Sequence, residues 1–130
     1  MIFVIDASAA AEVLFGTPLG ERALETIGDE IVVAPELIDA EVLSFIRRKV
    51  LQGVVSPRRA GEAIGMMVAW PFTRLSHRPL LTAAFALREN LSAYDALYAA
   101  AAVAVSGEIV TADGPLARAP IDLVIHNVRE

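Results

Sequence analysis

The chain has 130 residues, with 16 acidic and 11 basic side chains, a formal net charge of −5 and no cysteine. This length suits one domain with a core of its own, and the lack of cysteine excludes disulfides and thiolate metal sites. The apolar start lacks the basic residues of a signal peptide. The longest apolar run, residues 96–105, is about half of the roughly 20 residues in a membrane-spanning helix. We therefore expect a cytoplasmic protein with no membrane partner.

The predicted elements begin with a strand at residues 2–5, because the continuous run Ile-Phe-Val-Ile is typical of a strand buried on both faces of a sheet. Proline, glycine and cap residues divide the rest of the chain. They predict helices at 7–15, 19–27, 36–50, 57–69, 79–89 and 92–105, a helical turn at 113–119, and strands at 30–34, 72–75, 108–111 and 121–125. Strands that alternate with helices predict an α/β fold, as one domain over residues 1–130, with a central parallel sheet and helices on both faces.

Two aspartates follow predicted strands. Asp6 comes directly after the first strand, and Asp113 comes shortly after the strand at 108–111. Ligands of open parallel sheets bind in the crevice outside the carboxyl ends of the strands, so both carboxylates lie where chemistry is expected. Aspartate is also a favoured N-cap residue. For either residue taken alone, the cap interpretation is at least as good as a catalytic one.

Two further acids come from helices. Ser92 and Asp95 have the spacing of a capping box, at the start of a helix whose N-terminus faces the carboxyl edge of the sheet. Glu41 interrupts an apolar stripe with Leu37 and Phe45. A carboxylate taken out of water without a partner costs several kcal/mol, and Arg48 is the available structural partner. A solvated helix edge and a functional acid are equally good interpretations of Glu41.

Each acid has a structural explanation alone, but four acids at one sheet edge are hard to explain by accident. Carboxylates without histidine or cysteine suit hard cations such as Mg²⁺ or Mn²⁺. Four are enough for a two-metal site that clamps a phosphodiester displacement. The sequence therefore favours a metal-dependent nuclease, with Asp6, Glu41, Asp95 and Asp113 as its catalytic and metal-binding residues.

The charges of the chain are segregated along its length. Residues 1–43 carry a single base, Arg22, whereas residues 44–81 carry a single acid, Glu62. A basic block in an acidic protein indicates a polyanionic partner, although a solvated helix face is the better interpretation of any one arginine. Five residues of this block are predicted to bind RNA phosphates or to line the approach to the acids: Arg47, Arg48, Lys49, Arg58 and Arg59.

Four motifs in order along the chain resemble a known family. They are V-I-D-A-S-A at 4–9, P-E-L-I-D-A-E-V-L at 35–43, L-S-A-Y-D-A-L-Y at 91–98 and T-A-D-x-x-L-A at 111–117. Together they resemble the PIN-domain ribonucleases and, among these, the VapC toxins of toxin–antitoxin pairs. The resemblance places the acidic site of that family on Asp6, Glu41, Asp95 and Asp113, and its supporting hydroxyls on Ser8 and Thr111. It implies a PIN-like domain with Mg²⁺- or Mn²⁺-dependent endoribonuclease activity, a homodimer, and inhibition by a cognate antitoxin.

Other functions remain to be weighed against this one. A phosphotransferase of the haloacid-dehalogenase type needs a second aspartate where Ser8 stands, and a response-regulator receiver needs a lysine after a late strand, whereas the only lysine is Lys49. Both of these interpretations fail. A catalytically inactive PIN-like module that binds RNA or a partner protein stays open as the alternative.

The apolar content predicts partner surfaces. With 55% hydrophobic residues, a domain of this size is expected to leave apolar faces exposed, with helices 7–15 and 36–51 as candidates. Such patches mark interaction sites. We expect them to serve a homodimer contact and the docking of an apolar helical tail of the antitoxin. An arginine of that tail is expected to enter the four acids, since its planar fork pairs bidentately with carboxylates.

Overall fold

The computed structural model describes all 130 residues. Its centre is one parallel sheet with the strand order β3-β2-β1-β4-β5. The strands are β1 (Ile2–Ile5), β2 (Ile31–Pro35), β3 (Thr73–Leu75), β4 (Glu108–Thr111) and β5 (Ile125–Asn127). The first strand of the chain is therefore the middle strand of the sheet. The predicted α/β fold with a central parallel sheet is confirmed.

Seven helices connect these strands: α1 (Ala7–Leu14), α2 (Pro18–Ile27), α3 (Leu37–Leu51), α4 (Pro57–Ala69), α5 (Leu81–Ala86), α6 (Ala93–Val105) and α7 (Gly114–Ala117). Hydroxyl caps start three of them. The side chains of Thr17, Ser56 and Ser92 each accept a hydrogen bond from a backbone N–H of the first helical turn, which satisfies a donor that has no partner inside the helix. None of the helices has the length and apolar character required to cross a membrane.

Alanine and glycine let the helices approach closely. The helix α6 lies across β1, β2 and β4, and its run Ala99–Ala102 is fully buried. The helices α1 and α2 pack against each other, and a Cβ atom at Gly20 of α2 would lie 2.2 Å from the backbone oxygen of Glu12 in α1. That contact is too short for any side chain, so the crossing of α1 and α2 requires a glycine at this position.

Two predicted elements differ from the structure. The helix predicted at 79–89 is a 3-10 turn at Arg78–Leu80 followed by the short helix α5. After α5 the backbone N–H groups of Leu87, Arg88 and Asn90 bond to the carbonyl three residues earlier, so the chain tightens into turns and the α-helix ends at Ala86. The strand predicted at 121–125 is wrong over most of its length. The true strand β5 begins at Ile125 and includes His126, a polar residue that did not indicate a strand, whose imidazole lies 2.8 Å from the carboxylate of Glu108.

Candidate active site

Asp6 lies at the carboxyl end of β1, where three hydrogen bonds hold its buried carboxylate. Oδ1 accepts from the backbone N–H of Ala9 at 2.9 Å and from the Ser8 hydroxyl at 2.7 Å. Oδ2 accepts from the Thr111 hydroxyl at 2.5 Å. The residue is thus the N-cap of α1, as one interpretation of the sequence had it, and it is also bound to the end of the neighbouring strand β4.

The two hydroxyls that hold Asp6 also shape the loop after β4. The backbone N–H of Ala112 donates to Ser8 Oγ at 2.9 Å, and the backbone N–H of Asp113 donates to Thr111 Oγ1 at 2.9 Å. Ser8 and Thr111 therefore connect Asp6 to the backbone that carries Asp113. The family resemblance implied supporting hydroxyls at these two residues, and that role stays a prediction.

Glu41 lies on α3 and has a partner that the sequence did not predict. The hydroxyl of Tyr98, a buried residue of α6, donates to Glu41 Oε1 at 2.7 Å. Arg48, which the sequence offered as an available structural partner, does not pair with Glu41. Its guanidinium lies over the ring of Phe45, 5.9 Å from the centroid, and forms no ion pair. Side chains one or two turns apart are visible in a helical sequence, whereas a partner on another helix is not.

Asp95 and Asp113 both lie at the start of a helix. The backbone N–H of Asp95 donates to the Ser92 hydroxyl at 3.2 Å, as the capping-box spacing predicted. Asp113 is the N-cap of α7, and its Oδ2 accepts from the backbone N–H of Leu116 at 3.2 Å. The two helix starts turn both carboxylates toward the end of the sheet that carries Asp6.

The four acids interact electrostatically in a series, Glu41 to Asp95 to Asp113 to Asp6, which we call the acidic series. Burial raises the pKa of Asp6 to about 6, against the opposing effect of its three hydrogen bonds, and the charge of Asp113 adds to the rise. Burial also raises the pKa of Glu41 and of Asp95, and each is raised further by its neighbour, Asp95 and Asp113 respectively. None of the four forms a salt bridge, so their repulsion is not neutralised by any side chain.

The donors available for a metal ion at this edge are all oxygen atoms. The two histidines are engaged elsewhere, His77 as acceptor of the Leu37 N–H at 2.9 Å and His126 with Glu108. No three acidic or histidine side chains are gathered closely enough to hold an ion as they stand. The chemistry of this donor set suits a hard cation such as Mg²⁺, which keeps several waters and needs only one or two direct carboxylates.

A cleft of about 570 Å³ opens beside the acidic series. Ser8 and Glu41 line it, together with Phe45, Arg48, Tyr94, Ala112 and Arg129. Arg129 was missed by the sequence analysis. It is an isolated base at the far end of the chain, and only the folding of β5 beside β4 brings it to this cleft.

The five basic residues predicted to bind RNA do not all lie together. Arg48 and Lys49 lie over the ring of Phe45, at 5.9 and 5.3 Å, and Arg59 lies over Phe15 at 5.4 Å. These two rings are 6.4 Å apart. Arg48, Lys49 and Arg59 thus gather around one aromatic pair, which we call the Phe15–Phe45 patch.

The other two basic residues are exposed, outside that patch. Arg58 pairs weakly with Glu62 at 3.7 Å, and Arg47 forms no ion pair. Because Phe45 and Arg48 also line the cleft, the Phe15–Phe45 patch is continuous with the cleft and hence with Glu41.

The chain is similar to known proteins over nearly its whole length. Residues 3–121 match the family model of the PIN domain. The ribonuclease VapC1 of Mycobacterium tuberculosis is 36% identical over 119 residues, which cover 90% of each chain. The ribonuclease VapC12 of the same species is 31% identical over 117 residues, covering 90% of this chain and 91% of the relative.

Two solved structures have the same fold. PAE2754 from Pyrobaculum aerophilum superposes with a TM-score of 0.73 at 21% identity, over 99% of this chain and 85% of the other. VapBC2 from Rickettsia felis, bound to a DNA fragment from its promoter, superposes with a TM-score of 0.71 at 14% identity, over 98% of each chain.

Proposed function

This chain belongs to the PIN domain family and, within it, to the VapC ribonucleases, and from that premise we propose that its acidic series hydrolyses RNA phosphodiester bonds. The protein acts as an endoribonuclease, as the toxin of a toxin–antitoxin pair. The observation that carries this proposal is the acidic series itself, in which burial and the charge of a neighbouring acid raise the pKa of Asp6, Glu41 and Asp95 and no salt bridge compensates them. Such a site stores electrostatic repulsion that a cation relieves.

The cation of this proposal is Mg²⁺ or Mn²⁺, bound directly by one or two of Asp6, Glu41, Asp95 and Asp113 and through water by the others. When bound, such an ion lowers the pKa of a water molecule and neutralises charge that develops on the phosphate. The all-oxygen donor set supports a hard cation, and the repulsion within the acidic series supports a site that is completed by positive charge.

The residues of the chain contribute orientation before any chemistry. Three hydrogen bonds fix the plane of the Asp6 carboxylate. Tyr98 occupies Oε1 of Glu41 and leaves Oε2 for the cation. Thr111 accepts the backbone N–H of Asp113, and Ser8 accepts that of the preceding Ala112, so that a shift of Asp6 would displace Asp113. Carboxylates that are oriented in advance do not have to reorganise when charge develops in the transition state.

We assign RNA binding to the basic residues of α3 and α4. Arg48, Lys49 and Arg59 lie around the Phe15–Phe45 patch, and Arg47 and Arg58 flank them on the surface. A positively charged groove with aromatic rings suits a single RNA strand, because nucleobases stack on the rings while basic side chains contact the phosphates. Affinity for RNA should therefore fall steeply with salt.

Two apolar grooves support the proposed protein partners. The α3–α4 groove is lined by Val42, Leu43, Ile46, Ile64, Met67 and Val68, and the α5–α6 groove by Leu81, Ala84, Phe85, Leu91 and Leu97. The helix at 7–15, which the sequence also offered as a partner face, exposes no large apolar side chain. We assign the antitoxin tail to the α3–α4 groove. That groove lies on the face of α3 opposite Glu41, so the tail must pass around α3 for its arginine to take the place of the cation.

The test of this function is cleavage of a total RNA pool by the purified chain, with the cut ends mapped. We expect cleavage with Mg²⁺ or Mn²⁺, none with chelator, and a loss of at least about 100-fold in Asp6→Asn, since removal of one transition-state electrostatic contact costs this much. Asp29→Asn, which removes an exposed acid between α2 and β2, is the matched control and should stay active. RNA binding without any metal-dependent cleavage would instead establish the inactive PIN-like module.

A further inference from the structure

Arg129 is anchored at the cleft by its own backbone and by its side chain. Its Nε donates to the backbone oxygen of Ala112 at 2.6 Å, and its backbone N–H donates to Asn127 Oδ1 at 3.1 Å. The side chain lines the cleft together with Ser8, Glu41 and others. An arginine from the C-terminal strand region is thereby fixed against the loop that carries Asp113.

The end of this guanidinium has no partner within the protein. Nη1 and Nη2 of Arg129 make no hydrogen bond, and the side chain forms no salt bridge with any carboxylate. The charge of Arg129 is not among the causes that shift the pKa of Asp6, Glu41 or Asp95. The guanidinium of this exposed residue therefore lies beside the acidic series without neutralising it, and its terminal nitrogens are without a partner at the cleft that the residue lines.

We propose that Arg129 binds a phosphate of the RNA strand in the cleft. This inference rests on the proposed ribonuclease function and adds to it a substrate-binding residue outside the basic block. Two terminal N–H groups of a planar guanidinium match two phosphate oxygens, and the bond from Nε to Ala112 fixes the plane of the fork. Arg48 lines the same cleft, so the strand meets a positive side chain from α3 and a second one from the C-terminal segment.

A purely structural role for Arg129 is the competing explanation, since the Nε bond also ties the C-terminal segment to the loop after β4. The chain offers a matched control for that role. Arg22 donates from Nη1 to the backbone oxygen of Val128 at 3.0 Å and so ties down the same segment. It lies in a separate cavity with His126 and Asn127, away from the acidic series.

The experiment measures binding of a fluorescein-labelled single-stranded RNA of random sequence, in Mg²⁺ buffer, across a range of salt concentrations. The parent is the Asp6→Asn chain, which binds without cutting, and Arg129→Gln and Arg22→Gln are compared in that background. We expect Arg129→Gln to weaken binding about 10-fold or more and to lower the slope of log affinity against log salt by about 0.7, the value for one phosphate of a single strand. Arg22→Gln should leave both the affinity and the slope unchanged.

Equal losses in the two variants would identify Arg129 as a structural tie, and an unchanged salt slope in Arg129→Gln would overturn the proposal outright. Should Arg129→Gln unfold, Arg129→Lys is tested instead, because lysine keeps the charge but loses the planar fork. A full salt slope with weakened affinity is then expected, whereas unchanged affinity contradicts the bidentate role. Failure of the ribonuclease function has a different signature, since the chain with Asp6 intact would then cleave no RNA at all.

Discussion

At the scale of one residue, the carboxylate of Asp6 serves both as the N-cap of α1 and as a member of the acidic series. Its carboxylate accepts the backbone N–H that starts α1 while burial disfavours its charge. The hydrogen bonds from Ser8 and Thr111 recover only part of that cost. The charged form is therefore retained at the expense of stability, as is common where a protein prepares a site for an ion.

The folded chain should lose stability as pH rises because of Asp6. The pKa of Asp6 is about 6 in the folded chain and 3.8 ordinarily, so between about pH 4 and 6 the folded state binds more protons than the unfolded state. Stability then falls through that window, by about 3 kcal/mol at most for this group. Asp6→Asn keeps a cap residue and removes the titration.

Denaturant unfolding in chelator, from pH 4 to 8, measures this difference. The Asn variant should be the more stable protein at pH 7.5, and its advantage over the natural chain should shrink toward pH 4. A gap that is independent of pH would contradict the assignment. Asp29→Asn serves again as the control and should follow the natural chain throughout.

At the scale of elements, the bond from Tyr98 to Glu41 joins α6 to α3 across the site. Replacement of Tyr98 by Phe removes the only hydrogen bond that orients the Glu41 carboxylate. The same bond lowers the pKa of Glu41. Removal of a hydrogen-bond partner that orients a metal-binding side chain typically lowers metal affinity by about 10- to 100-fold. We expect Tyr98→Phe to bind Mn²⁺ that much more weakly in a calorimetric titration.

Tyr94→Phe is the comparison for this experiment, since it makes the same change one helical turn earlier, at an exposed residue. It should bind Mn²⁺ as the natural chain does. Equal Mn²⁺ affinity in all three proteins would show that Glu41 needs no support from Tyr98.

Local signals predicted the elements, and contacts between elements escaped them. The helix predicted at 57–69 has the same bounds in the structure, since Ser56, Pro57 and an apolar period specify it locally. The partner of Glu41 and the position of Arg129 depend instead on which surfaces meet after folding. A single sequence with segregated charges shows that a basic surface exists, but not that Arg48 leans on Phe45 while Arg58 faces Glu62.

At the scale of the whole molecule, the α5–α6 groove is the better candidate for self-association. Its lining is apolar apart from Arg88 and Ser92, and Phe85 is 68% exposed. The α3–α4 groove is also lined by the charged residues Asp39 and Arg74, and we assign it to the antitoxin. We expect the chain to sediment as a dimer at micromolar concentration and Phe85→Glu to sediment as a monomer, because burial of an unpaired charge is costly.

Val68→Glu places the same charge in the other groove, at a residue that is 80% exposed. It should remain a dimer and lose affinity for the product of a small neighbouring gene, measured by co-purification. A natural chain that sediments as a monomer and binds no such product would refute both assignments.

The hydrogen bond between Asp6 and Thr111 joins residues 105 positions apart in the chain, and this separation sets the time between their synthesis on the ribosome. Ribosomes add about 5–20 residues per second, so roughly 5–20 s separate the synthesis of these two residues. Throughout that interval β1 has been synthesised but β4 and Asp113 have not. With Asp113 in the proposed active site, we expect that a growing chain does not cut the messenger that encodes it. We also expect a chain truncated by a stop codon ahead of Thr111 to have no nuclease activity. On this proposal the toxin becomes active only when its own translation is nearly complete.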